Sequence, residues 1–197
     1  MHLIVTDPRD QERLIAERQA CGADRFDEVW EGTYVMAPLA NDEHQDLQAK
    51  LISIFQGVVG WDGHGLVRGG VNVSDRDDGW QRNYRCPDVV VFMKGTSARN
   101  CDTHWVGGPD FAVEILSPGD RTPEKLPFYA SVSVRELLVI DRDPWQLELF
   151  RLSSGALRPV ADPLISEVLP LSFRLIPASS RPTIEVEHRE TRQRWSV

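Results

Sequence analysis

Long apolar runs are missing from this 197-residue sequence. No stretch approaches the roughly 18 uninterrupted apolar residues that a bilayer-spanning helix needs. The first residues, 1–7, also lack the basic stretch followed by an apolar one that is typical of a secretory leader. We therefore expect a protein that has no membrane span and works in the cytoplasm.

Cysteine is scarce, with thiols at Cys21, Cys86 and Cys101. An odd number at wide spacing favours free thiols in a reducing compartment over a disulfide framework. A zinc site built from Cys86, Cys101 and His104 is disfavoured, because the sequence has no paired Cys-x-x-Cys and this set supplies only three soft ligands. The sequence therefore predicts neither disulfides nor a zinc centre.

A basic excess is absent as well, since 30 acidic and 22 basic residues give a formal net charge of −8. This balance argues against indiscriminate nucleic-acid binding through a broadly positive surface, but it leaves room for a local basic groove. No base-reading element such as a helix-turn-helix is recognisable. The tail arginines Arg189, Arg192 and Arg194 either contact phosphates or keep the end of the chain in solution.

The composition, 41% hydrophobic and 26% charged, is typical of one globular domain with a proper core. Residues 10–20 have the pattern of a short amphipathic helix, and residues 26–36 have that of a β-hairpin. The clearest helix is capped by Asn41 or Asp42, because apolar residues then recur over 47–55 at spacings of three and four. Several strands and a short helical segment follow, which predicts a mixed α/β fold.

Two acidic residues at the ends of apolar runs are the most informative feature of the chain. Asp88 precedes the run Val89–Phe92, and Glu114 lies within the run Phe111–Leu116. Each run has the pattern of a buried strand, where an unpaired carboxylate costs several kcal/mol or loses its charge. A bound cation would resolve that cost. The alternative for Asp88 is a strand-end carboxylate satisfied by nearby amides.

A divalent ion held by carboxylates provides what the hydrolysis of a phosphodiester requires. It stabilises the charge that grows at phosphorus, and it makes a water nucleophilic near neutral pH. Because Mg²⁺ takes only one or two protein carboxylates, Asp88, Glu114 and the carbonyl of Ile115 are sufficient ligands. A lysine near the attacking water or the scissile phosphate would complete such a site.

A longer resemblance rests on several stretches, of which Glu114-Ile115-Leu116-Ser117-Pro118 with a following Lys and Tyr is the specific part. The matching stretches are Glu31-Gly32-Thr33-Tyr34-Val35-Met36-Ala37-Pro38, the helix that opens with His44, Pro87-Asp88-Val89-Val90-Val91, residues 109–121, Glu124-Lys125, Tyr129-Ala130, residues 135–141 and residues 163–175. On these residues the chain resembles the Uma-type restriction endonuclease family of the PD-(D/E)XK nuclease superfamily.

The resemblance implies a restriction-endonuclease-like core, in which helices flank a mixed β-sheet, with an N-terminal helix and β-hairpin extension. We expect an N-terminal helical extension at 1–25, a nuclease domain at 26–180 and a C-terminal tail at 181–197. The resemblance also implies that Asp88 and Glu114 are metal ligands.

The sequence departs from the superfamily pattern at Leu116, since this position, two after the glutamate, is where the lysine of (D/E)XK belongs. The nearest replacement is Lys125, which would act from the following helix, and Pro127 removes one backbone hydrogen-bond donor from that helix. The alternative is a surface lysine paired with Glu124 or Asp120.

These residues predict an endonuclease that hydrolyses DNA phosphodiesters with Mg²⁺, or with Mn²⁺ in its place. Lys125 assists the water or the phosphate, His44 is either a site residue or a structural one, and Tyr129 fits the core better than catalysis. Since duplex cutting needs one site per strand, we expect a homodimer. Two alternatives stay open: a nuclease-fold binding or regulatory module that does not cleave, and an enzyme acting on RNA or another phosphate ester.

Overall fold

The computed structural model describes residues 3–4, 8–117, 122–179 and 181–197. The α-helices in these ranges are α1 (Pro8–Cys21), α2 (Asp42–Phe55) and α3 (Thr122–Ser131), and α2 continues into a π-helical turn (Gln56–Gly60). The strands are β1 (Leu3–Ile4), β2 (Glu28–Trp30), β3 (Thr33–Met36), β4 (Gly65–Gly69), β5 (Val73–Ser74), β6 (Tyr84–Arg85), β7 (Val89–Met93), β8 (Arg99–Asn100), β9 (Trp105–Val106), β10 (Phe111–Ile115), β11 (Glu136–Arg142), β12 (Trp145–Ser153), β13 (Ala156–Pro159), β14 (Leu164–Ile165), β15 (Leu171–Ile176), β16 (Thr183–His188) and β17 (Arg194–Ser196).

The helix predicted after residue 41 is confirmed as α2. The side chain of Asn41 accepts a hydrogen bond from the backbone N–H of His44 (3.0 Å), which caps the first turn. Leu47, Leu51 and Phe55 are fully buried, as their spacing along one helix face predicts. The cap therefore fixes where α2 begins, and it holds His44 in the first turn.

The described strands form three sheets. The central sheet has the order β13-β12-β11-β10-β7-β4, and it is mixed because β10 is parallel to β11 and antiparallel to β7. The second sheet has the order β1-β3-β2-β6-β5-β9-β8 and contains the predicted hairpin, formed by β2 and β3. The third has the order β14-β15-β16-β17. This is the mixed α/β fold expected from the sequence.

The central sheet is covered on both faces, as the alternation along β10 shows. Phe111, Val113 and Ile115 belong to the core cluster that also contains α2 and the third sheet. Ala112 belongs to the cluster that contains α3. Because side chains alternate along a strand, Glu114 falls on the α3 side with Ala112. The carboxylate therefore lies where α3 can reach it.

The segment at 181–197 contributes β16 and β17 to the third sheet. Val186 and Val197 are buried in the same core cluster as α2. On the outer side Arg192 and Arg194 pair with the carboxylate of Glu187, at 2.5 and 2.8 Å. These arginines are thus held in ion pairs along the sheet. The predicted boundary at residue 180 lies outside the described residues.

The three cysteines agree with the expectation of free thiols. All three cysteines are free thiols, with Cys21 exposed and Cys86 buried. Within the described ranges, no helix is long and apolar enough to cross a membrane.

Candidate active site

A pocket at the end of the central sheet collects the residues singled out by the sequence. β7 begins directly after Asp88, and Glu114 is the penultimate residue of β10; since β7 and β10 are antiparallel neighbours, these two ends meet. α2 contributes His44 and α3 contributes Lys125. The pocket encloses about 60 Å³, several times the space that one water needs. Its lining includes Glu28, His44, Asp88, Glu114, Ile115 and Lys125.

Asp88 is held through both of its carboxylate oxygens. Oδ1 lies 2.8 Å from Nε2 of His44, and Oδ2 accepts a hydrogen bond from the backbone N–H of Ile115 (2.7 Å). The amide contact that a purely structural Asp88 would make is therefore present, but it engages one oxygen only. The side chain keeps 18% of its surface exposed, so solvent reaches it. Each carboxylate oxygen has a second lone pair that can accept a further ligand.

Glu114 and Lys125 form a buried ion pair. Nζ of Lys125 lies 3.1 and 3.2 Å from the two carboxylate oxygens of Glu114. Lys125 is only 3% exposed, so the alternative of a surface lysine does not hold. α3 continues through Pro127 and brings this ammonium to the end of β10, whereas Leu116, at the position of the motif lysine, packs against the apolar cluster on the α3 side.

Tyr129 belongs to the core, as expected, and it also contacts the pocket carboxylate. The side chain is fully buried, and its hydroxyl donates a hydrogen bond to Oε1 of Glu114. Burial and the charge of Glu114 raise the pKa of the Tyr129 hydroxyl well above its usual value. The hydroxyl therefore stays protonated at neutral pH and acts as a donor.

Glu28 is a third carboxylate in the pocket, and the sequence reasoning missed it. Its Oε1 lies 3.0 Å from Nζ of Lys125 and accepts a hydrogen bond from the backbone N–H of Cys86 (2.9 Å). Its Oε2 accepts a hydrogen bond from the indole N–H of Trp30 (2.7 Å). The available signal was an acidic residue next to Val29 in a predicted strand, the pattern that singled out Asp88.

Cys86 also lines the pocket, without being a candidate nucleophile. Burial raises the pKa of its thiol well above the usual value, and the carboxylates of Glu28 and Asp88 raise it further. The group therefore remains a thiol at neutral pH, whereas nucleophilic cysteines require the thiolate.

The described lining residues give the pocket a negative charge. Three carboxylates (Glu28, Asp88 and Glu114) and one ammonium (Lys125) sum to −2 when His44 is neutral. Carboxylate and carbonyl oxygens are the ligands that Mg²⁺ prefers, and one or two protein carboxylates are enough for it. The donor set therefore fits a divalent cation of this kind.

Glu43 pairs with Arg142 and Arg181 at 3.2 and 3.1 Å, and it does not line the pocket. Asp120, with the rest of 118–121, lies outside the described residues.

Comparisons with known proteins support the fold and assign a family. None of the curated proteins matches the chain in sequence. A solved structure described as a putative nuclease belonging to DUF820, from Anabaena variabilis ATCC 29413, is 19% identical and has a TM-score of 0.57, over 78% of this chain and 82% of that chain. At that identity the likeness concerns the fold, and it agrees with a restriction-endonuclease-like architecture. Since residues 18–177 match Uma2, described as "Putative restriction endonuclease", the chain belongs to the Uma2 family.

Proposed function

We propose that this protein is a Mg²⁺-dependent nuclease that hydrolyses phosphodiester bonds in DNA. The observation that carries the proposal is the pocket where the ends of β7 and β10 bring Asp88 and Glu114 together beside the buried ammonium of Lys125. The description of the Uma2 family as restriction endonucleases supports DNA as the substrate.

Asp88, Glu114 and the carbonyl of Ile115 would hold the ion. When bound, it would neutralise charge on the phosphate. It would also lower the pKa of a bound water, so that this water can lose a proton near neutral pH and attack phosphorus. The charge of −2 on the described lining residues favours one divalent cation.

The protein's own groups prepare the pocket for this chemistry. His44 fixes the orientation of Asp88 through the 2.8 Å contact, and Tyr129 does the same for Glu114. Lys125 is held between Glu28 and Glu114 (3.0 and 3.1 Å), so its ammonium enters the reaction already positioned. There it would offset the negative charge that grows on the phosphate oxygens as water adds to phosphorus.

A cleavage assay with matched variants tests the proposal. Wild-type protein is incubated with Mg²⁺ and, in parallel, with duplex DNA, single-stranded DNA, RNA of the same sequence and a small phosphodiester. We expect cleavage of DNA that requires the ion and falls by at least about 100-fold in Asp88→Asn, the loss typical when one charge-stabilising group is removed. The control is Asp62→Asn, which changes an exposed carboxylate outside the pocket and should cleave as the wild type does.

Each other outcome of this assay selects a different function. Mg²⁺ binding without cleavage of any substrate identifies a binding or regulatory module. Faster cleavage of RNA or of the small ester than of DNA identifies a different phosphodiesterase. Equal DNA cleavage by Asp88→Asn and the wild type contradicts the assignment of the pocket.

Cutting both strands of a duplex would require two copies of the 22.3 kDa chain. We therefore also propose a homodimer. Light scattering on the protein with Mg²⁺ and duplex DNA should report two chains per complex, and one chain per complex together with double-strand cleavage contradicts this part of the proposal.

A further inference from the structure

A second cluster of metal-binding side chains lies in the seven-stranded sheet, outside the pocket. Asp77, Cys101 and His104 each place one ligand atom so that all three atoms lie within 4.8 Å of one another. Asp77 belongs to the turn between β5 and β6, whereas Cys101 and His104 belong to the connection between β8 and β9. None of the three lines the pocket of Asp88 and Glu114. We refer to these three residues as the edge cluster, because β8 is the last strand of its sheet.

His104 directs a buried nitrogen into the edge cluster. The residue is 4% exposed, and its Nε2 makes no hydrogen bond within the described part of the chain, although it lies 3.4 Å from Oδ1 of Asp77. Nδ1 lies 3.1 Å from Oγ1 of Thr103, and the ring is stacked on Trp80 with centroids 4.6 Å apart. When Nδ1 carries the proton and donates it to Thr103, Nε2 keeps a lone pair for a metal.

Hydrogen bonds from neighbouring groups position Asp77 and Cys101. Nη2 of Arg99 donates a hydrogen bond to Oδ2 of Asp77 (2.8 Å), which leaves Oδ1 directed at His104. The backbone N–H of Cys101 donates to the carbonyl of His104 (2.9 Å), which closes the turn that carries both ligands.

The spacing of the ligand atoms suits a tetrahedral zinc ion. Nitrogen, oxygen and sulfur ligands at roughly 2.0–2.3 Å from zinc lie about 3.3–3.7 Å from one another in a tetrahedron. The distance of 3.4 Å between Nε2 of His104 and Oδ1 of Asp77 already falls in this range. Sγ of Cys101 lies within 4.8 Å of the other two ligand atoms, so the partly exposed Cys101 has to move by at most about 1 Å to reach the same range. One thiolate, one imidazole and one carboxylate form a donor set that selects zinc over Mg²⁺.

We propose that Asp77, Cys101 and His104 bind one zinc ion, with water as the fourth ligand. The ion would tie the β8–β9 connection to the turn after β5. β8 pairs with β9 through two residue pairs only, Arg99 with Val106 and Asn100 with Trp105, so a metal link would reinforce a short edge strand. The site is independent of the proposed nuclease chemistry, because it shares no residue with the pocket.

Titration with Co²⁺ tests for thiolate ligation. The full chain, freed of metal by a chelator, should develop a sulfur-to-cobalt charge-transfer absorption that saturates at one equivalent and is lost when Zn²⁺ is added. Cys101→Ser should abolish this absorption. Cys21→Ser, which changes an exposed thiol outside the edge cluster, should retain it.

Zinc affinities, measured by competition with a chromophoric chelator, complete the test. Cys101→Ser and Asp77→Asn should each bind zinc at least about 10-fold more weakly, because even groups that only support a ligand contribute 10- to 100-fold. Asp62→Asn, which changes an exposed carboxylate outside both the edge cluster and the pocket, should bind zinc like the wild type. Circular dichroism verifies that each variant is folded. A wild-type protein without the cobalt absorption, or a folded Cys101→Ser protein with wild-type zinc affinity, overturns the proposal.

Discussion

Replacing Lys125 with methionine tests the charge arrangement of the pocket. Methionine keeps an unbranched apolar side chain in α3, but it removes the cation that lies 3.0 Å from Glu28 and 3.1 Å from Glu114. These two carboxylate side chains are each only 4% exposed, so water screens their repulsion poorly. Removing one partner of a buried ion pair lowers the free energy of unfolding by about 3–5 kcal/mol, and we expect a loss in this range.

Bound Mg²⁺ should restore part of the stability that Lys125→Met loses, but it should not restore the rate of DNA cleavage. Bound Mg²⁺ would restore positive charge to the pocket, and binding to the folded state at 100 times Kd raises the free energy of unfolding by about 2.7 kcal/mol. The rate of DNA cleavage should nevertheless fall by about 10²–10³, since the group that offsets charge on the phosphate is gone. Lys125→Arg, which keeps the positive charge, should retain more of the stability and the activity.

Urea unfolding followed by tryptophan fluorescence, with and without Mg²⁺, measures the change in stability. The cleavage assay measures the change in the rate of DNA cleavage. The matched control is Lys94→Met, which removes an exposed lysine next to β7. A Lys125→Met protein that is as stable as Lys94→Met without divalent ions would refute the ion-pair argument. Wild-type cleavage by Lys125→Met would refute the catalytic role of the lysine.

Two further substitutions probe neighbours of the acidic residues. His44→Ala removes the contact that orients Asp88, and calorimetric titration should show a Mg²⁺ affinity lower by about 10- to 100-fold; the same affinity in His44→Ala and in His64→Ala, which changes an exposed histidine, contradicts this role. Cys86→Ala should reduce the fall in the free energy of unfolding that occurs at alkaline pH. Because burial raises the pKa of the Cys86 thiol, the unfolded chain loses this proton at a lower pH than the folded protein does. The thiol's contribution to the free energy of unfolding is therefore complete below the unfolded pKa of about 8.5, and it is lost as pH rises towards the folded pKa. Above about pH 9 this group should lower the free energy of unfolding by up to roughly 1.4 kcal/mol per pH unit. Urea titrations between about pH 9 and pH 10, below the range in which the tyrosines of the unfolded chain ionise, should show this slope in Cys21→Ala and not in Cys86→Ala, and equal slopes count against the assignment.

The features that could be predicted from the sequence have local signals. The cap at Asn41 and the apolar spacing that follows lie within α2, and both are confirmed. Asp88 and Glu114 stand at the ends of short apolar runs, which mark buried strands without any knowledge of the partners. Their meeting in one pocket follows from the antiparallel pairing of β7 and β10.

The contacts that could not be predicted join distant parts of the chain. Glu28 reaches the pocket because the hairpin of β2 and β3 lies beside α3, and the alternation within a hairpin does not say which face will be covered. The position of Lys125 depends on the path of α3 through Pro127, for which the sequence has no local signal.

The edge cluster shows the same limit of spacing arguments. The sequence reasoning combined Cys101 and His104 with Cys86 as a third soft ligand and found the set unsuitable for zinc. In the structure Cys86 lines the pocket of Asp88 and Glu114, and the third potential ligand atom beside Cys101 and His104 comes from Asp77, on a turn that precedes β6. A carboxylate in a polar turn has no sequence pattern that distinguishes it from other solvated acids.

The most direct test of the central claim is an anomalous-difference map from crystals soaked in Mn²⁺. If Asp88 and Glu114 hold one divalent ion, the map will show a single peak in the pocket, bonded to an oxygen of each carboxylate at roughly 2.0–2.3 Å. A map in which no ion contacts both carboxylates, at a Mn²⁺ concentration that supports DNA cleavage, contradicts the account.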